Sequence, residues 1–211
     1  MFDFFVYSVY LVLLVNLILY SFSFFQKEKA NVFFVSYLVF SFLMQLSMEV
    51  MYLLKVNNLP VLNTFFTGQM ILLGLFYNSL LKLKIQKIFV LVCIVIALFI
   101  LGIQFALDPG QFMKFNLFEI ALTCLLIVVF ALLHLYNMLT DGKKYYYVSI
   151  GIIIYLFAST VLFLIGNLSF SLSDDLKYLI WTLNAFLSLV YQFFILYDWK
   201  KSFYKRELPK I

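Results

Sequence analysis

Seven apolar runs, each about as long as a bilayer is thick and separated only by short polar connections, leave this chain almost no way to fold in water. A helix rises about 1.5 Å per residue, so roughly 20 apolar residues cross a hydrocarbon core about 30 Å thick. The runs cover residues 4–25, 31–54, 61–81, 88–106, 116–138, 146–166 and 178–197. They are too long for barrel strands and lack alternation by two, so only helices can satisfy their backbone groups in lipid. Composition points the same way: 65% of residues are hydrophobic and 12% charged, against about half and about a quarter in a soluble domain. The expected fold class is all-α, a polytopic bundle of seven transmembrane helices over 1–197 with a basic juxtamembrane tail over 198–211.

The first run carries Asp3, has no Lys or Arg before it and is longer than a signal-peptide core, so it is expected to remain as a permanent helix. Pro60 and Pro109 fall in connections, where a missing backbone donor is harmless. Cys93 and Cys124 lie inside apolar runs without a CxxC pair and read as small buried hydrophobes.

Orientation follows from the basic residues, which favour cytoplasmic connections. Alternate connections and the tail hold Lys27, Lys29, Lys82, Lys84, Lys87, Lys143, Lys144, Lys200, Lys201, Lys205, Arg206 and Lys210. The opposite side holds only Lys55, Lys114 and Lys177. The N-terminus is therefore expected outside and the C-terminus in the cytoplasm. On this topology the net charge of +5 reports contact with anionic inner-leaflet lipid and no nucleic-acid partner. Tyr145, Tyr146, Tyr147 and Trp199 are expected at the inner interface and Trp181 near the outer one.

Polar side chains inside a bilayer are costly and often mark function. Ser41, Gln45 and Glu49 recur every four residues on the second run, hence on one helix face. Asn63, Thr67 and Gln69 lie on the third run, Glu119 and Thr123 on the fifth, Ser159 on the sixth, and Asn184 on the seventh. The topology puts most of these in the outer half, so the second, third, fifth, sixth and seventh helices are expected to line one outward-facing polar pocket. The fourth run has little beyond Cys93 and Gly102 and is expected to face lipid. Plainer readings exist for each residue: a glutamate near a helix end reaches the headgroups, and interhelical amide or hydroxyl bonds hold bundles together at about 0.6–2 kcal/mol apiece.

Several chemistries lack their residues. His134 is the only histidine, which excludes multi-histidine zinc and bis-histidine haem sites. It follows Glu119 by fifteen residues, about 22 Å along a helix, and reads as an interfacial residue. No GxSxG elbow or phosphate-binding glycine loop occurs, and the seventh run has no mid-span Lys. The aspartates fall at span edges or in loops. No catalytic residue, metal ligand or cofactor is assigned.

The runs YYYVSIGIIIYLFASTVLF, Tyr145 to Phe163, and WTLNAFLSLVYQFFILYDWKK, Trp181 to Lys201, resemble a group of short seven-helix inner-membrane proteins of Bacteroidetes-type bacteria. In that group the second helix usually ends with a glutamate, matched by Glu49. The third helix carries an Asn followed six positions later by Glu; here Asn63 matches and position 69 is Gln. The resemblance implies inner-membrane location and the same architecture.

The leading expectation is a non-enzymatic receptor or accessory subunit, binding a small ligand or another membrane protein's helix in the outer pocket and signalling through that partner. The alternative is a small-solute transporter resembling the three-plus-one-plus-three plan of sugar-facilitator folds. For that plan, YLVFS at Tyr37 parallels YLFAS at Tyr155, and Asn63 parallels Asn184, while the Pro-Gln pairs of that family are absent. A lipid-modifying enzyme is third.

Overall fold

The computed structural model describes residues 2–26, 30–139, 144–168 and 174–203, except for the side chains at 168, 174, 175 and 177. Within them the chain forms seven long helices and no strand: α1 Phe2–Phe25, α2 Val32–Leu53, α3 Leu59–Leu80, α4 Lys84–Leu107, α5 Leu117–Asn137, α6 Tyr146–Leu168 and α7 Asp174–Ser202. A 3-10 turn, Pro109–Met113, joins α4 to α5. All seven helices are long and apolar enough to cross a membrane. Of the basic residues used for orientation, Lys27, Lys29, Lys143, Lys205, Arg206 and Lys210 lie outside the described residues, as does the side chain of Lys177.

Local chemistry sets the helix ends, where backbone groups lack intrahelical partners. Asn31 caps α2, its side chain accepting from the N–H groups of Phe33 and Phe34, and its amide donates to Ser79 Oγ at 2.6 Å. Pro60 sits in the first turn of α3, where its missing donor costs nothing. At the end of α2 the N–H groups of Lys55 and Val56 return to the carbonyls of Tyr52 and Met51, the paired bonds of a Schellman stop. That stop holds Lys55 at φ 56°, a left-handed conformation that costs a residue with a Cβ about 1 kcal/mol. Lys55→Gly is therefore expected to raise stability by about 1 kcal/mol, seen as a later thermal transition in detergent.

Six helices form a ring in the order α1, α2, α3, α5, α6, α7, with α7 closing against α1. α4 stands outside it, packed on α3 and, over a smaller contact, on α5. Its free face exposes Ile85, Val95 and Phe99. Gly74 of α3 admits it closely: a Cβ there would lie 2.5 Å from Ile94 Cδ1. α4 is less bare of polar groups than its sequence suggests. Gln86 exchanges two amide hydrogen bonds with Asn137, and Gln104 does the same with Asn116, so both ends of α4 are pinned to α5.

One end of the ring, where α7 finishes, is closed by an aromatic cluster. Phe34 lies 5.0 Å from Tyr20 and 5.0 Å from Phe76, and Tyr145 meets Phe76 edge-on at 5.1 Å. Such pairs add about 0.5–1.5 kcal/mol each beyond area burial. Tyr145, just before α6, is a core residue, 1% exposed. The tail begins later than expected. α7 runs on to Ser202 because Asp198 is buried at the start of α6, Trp199 Nε1 donates to Ser23 Oγ at 2.9 Å, and Phe203 packs against Tyr20.

Candidate functional site

The nine residues expected to line an outer pocket separate into three places. At the end of the ring where α3 and α5 begin, Asn63 Nδ2 donates to the carbonyls of Phe112 and Lys114, both at 3.0 Å, and fastens the 3-10 segment. Glu119 is fully buried. It stands three residues after the cap Asn116, whose side chain accepts from the Glu119 N–H at 3.2 Å and lies 3.5 Å from its carboxylate, an arrangement of capping-box type. Thr67 donates to Glu119 Oε1 at 2.6 Å across the α3–α5 seam, and Thr123 donates to the Glu119 carbonyl. These four residues fasten helix ends and the α3–α5 seam.

Glu49 lies apart from them. It accepts from Tyr10 at 3.2 Å and Tyr7 at 3.4 Å, so its partner helix is α1, which the sequence reading left out of the site. No contact among the described residues joins Glu49 to Glu119; the two carboxylates serve different seams. Asn184 and Gln45 are half-buried, each with a side-chain oxygen lacking a protein partner.

The third place is the middle of the ring. Gln69 is 1% exposed, and neither its Oε1 nor its Nε2 has a protein partner. Ser41 and Ser159, also buried, have unpartnered hydroxyls. Ser41 and Gln69 lie beside the Tyr37 hydroxyl, and Ser159 and Ser188 beside that of Tyr155. Tyr191 joins the two sides: its hydroxyl donates to that of Tyr37 at 3.3 Å, and its ring stacks on Tyr155 at 5.3 Å. Four helices, α2, α3, α6 and α7, thus bring uncharged polar groups to one level. Sequence reasoning nominated Gln69 and Ser159 but missed the tyrosines, although the parallel between YLVFS and YLFAS contained Tyr37, Ser41, Tyr155 and Ser159.

Towards the aromatic end, His134 is buried in the last turn of α5, with Nδ1 2.9 Å from Ser149 Oγ. Tyr77 also donates to that hydroxyl, at 3.4 Å. Ser149 is fully buried, and its contact with His134 ties α6 to α5. Just before α6, burial pushes the Tyr145 hydroxyl above the ordinary phenol range, and the Asn31 N–H donating to it at 2.7 Å offsets part of that rise. Among the described residues no group of three His, Cys, Asp or Glu side chains is placed to hold a metal.

An open cavity of about 230 Å³ does lie at the end where α3 begins, between α3, α6 and α7. Its walls are Leu59, Phe115, Phe163, Gly166, Asn167, Ile180 and Trp181. None of the nine nominated residues reaches it.

The fold and its polar interior define a multi-pass membrane protein of the helical-bundle class. Compared with protein-family models, curated proteins and solved structures, the chain matches none.

Proposed function

We propose that this chain is a non-enzymatic receptor or accessory subunit of a bacterial inner membrane that holds a small molecule at the centre of its six-helix ring. One observation carries the reading: Gln69, with both amide atoms unpartnered at 1% exposure, beside the unpartnered Ser41 and Ser159. A buried amide without a partner costs about 1–3 kcal/mol in mutational data, and a purely structural bundle has no reason to carry that cost. The N-terminus lies outside and the C-terminus inside on the distribution of Lys and Arg, with anionic inner-leaflet lipid at the basic end and a second membrane protein taking up the signal.

A second reading, small-solute transport, is favoured by the placement of α4 outside a ring built from α1–α3 and α5–α7. That is the arrangement expected of two three-helix halves joined by a linker helix.

Flux separates the two. Proteoliposomes of the wild-type chain are expected to be no leakier to small neutral solutes than protein-free liposomes, while the solute retards modification of buried Cys124. Saturable flux that disappears in Gln69→Leu would overturn the receptor reading in favour of transport.

A further inference from the structure

The chemistry of the ring's centre narrows what it can hold. Two helices present the same short pattern there: Tyr37 and Ser41 from α2, Tyr155 and Ser159 from α6, each pair four residues apart and so on one helix face. Tyr191 bridges them, and Gln69 adds one amide donor pair and one carbonyl acceptor. Every group at this level is uncharged. The ionisable residues nearest in sequence to the polar seams are committed elsewhere: Glu119 to Thr67 and Asn116, His134 to Ser149, Asp198 to Tyr147 and Tyr20. An ion brought here would leave water without meeting a counter-charge, at a cost far above that of a neutral polar group.

We infer that the ring's centre recognises an uncharged solute carrying both hydrogen-bond donors and acceptors, of the amide or diol class, and excludes charged isosteres of the same size. The donors and acceptors of Gln69 read one end of such a molecule, and the Ser41 and Ser159 hydroxyls complete its remaining bonds. The apolar faces of Tyr155 and Tyr191 pack against its carbon skeleton. This inference rests on the binding reading given above and deepens it to a ligand class.

The test uses the full chain in detergent with Cys93→Ala, which leaves Cys124 as the sole cysteine. Cys124 is 1% exposed, and Tyr37 and Tyr155 lie within its electrostatic reach, so its reaction with methyl methanethiosulfonate reports on this level of the ring. Propionamide and 1,3-propanediol are compared with propionate and propylammonium. The neutral probes are expected to slow labelling saturably, by about fivefold when present at four times their dissociation constant, and to raise the melting temperature. The charged probes are expected to do neither, and Gln69→Leu is expected to abolish both effects while remaining folded. Protection by a charged probe that depends on Gln69 would overturn the ligand class and leave binding in the ring intact. Absence of any saturable change in labelling or melting with all four probes would overturn both. If Cys124 never reacts in the folded chain, the melting shifts alone decide.

Discussion

Asp198→Leu is expected to destabilise the bundle by about 3 kcal/mol, several times the loss from Asp198→Asn. Asp198 is 2% exposed near the end of α7 and spans two helix junctions. Its Oδ1 accepts from the Tyr147 N–H at 3.1 Å, and its Oδ2 accepts from Tyr20 at 3.4 Å and Ser202 at 3.5 Å. α6 begins at Tyr146, and the residue before it, Tyr145, has no side-chain acceptor to turn back onto the first helical N–H groups. A carboxylate from α7 takes that place, at the positive end of the helix dipole. Leucine removes every acceptor that Asp198 offers to Tyr147, Tyr20 and Ser202 at once, whereas asparagine keeps one oxygen in position. Temperature-dependent labelling of Cys124 measures the loss. A leucine variant that melts with the wild type would show that α6 needs no cap from α7.

The helices were legible because lipid forces a backbone to satisfy itself, and the length and composition of each run report that requirement directly. The boundaries that moved did so for side-chain reasons. α7 continues through Trp199 because Ser23 of α1 accepts its indole N–H, a contact that links residues far apart in sequence. Which polar residues share a helix face was readable, but the neighbour that face meets was not. Glu49 and Glu119 share an end of the bundle, yet one turns to the tyrosines of α1 and the other to Thr67 of α3. Spacing by four fixes a common face on one helix and says nothing about which neighbour that face meets. The tyrosines at the centre escaped notice for a related reason. Tyrosine is common at membrane interfaces, so Tyr37, Tyr155 and Tyr191 do not stand out until the ring order brings them together.

Gly151→Leu is expected to break the α6–α7 seam and with it the polar centre, while Gly102→Leu leaves both intact. In lipid, helices gain little from apolar burial against one another, so close backbone approach at small residues supplies much of the packing. Gly151 is such a point: a Cβ there would lie 2.7 Å from Phe194 Cβ and 3.1 Å from Tyr191 Cδ2. Phe194 Cβ is fixed to the α7 backbone, so no rotamer change relieves the contact and the helices must part. Overpacking of this kind costs about 1–3 kcal/mol in cores that can adjust, and about 3 kcal/mol is expected here because the closest atom moves only with its helix. Parting the seam also pulls Tyr191 from Tyr37 and Tyr155, so protection of Cys124 by propionamide should vanish even below the melting transition. Gly102 is the control, with no atom within 4 Å of its would-be Cβ on the outlying α4. Leucine there improves helix propensity by up to about 1 kcal/mol. Equal melting temperatures and equal protection in the two leucine variants would show that the α6–α7 approach is looser than its geometry implies and that Tyr191 does not organise the centre.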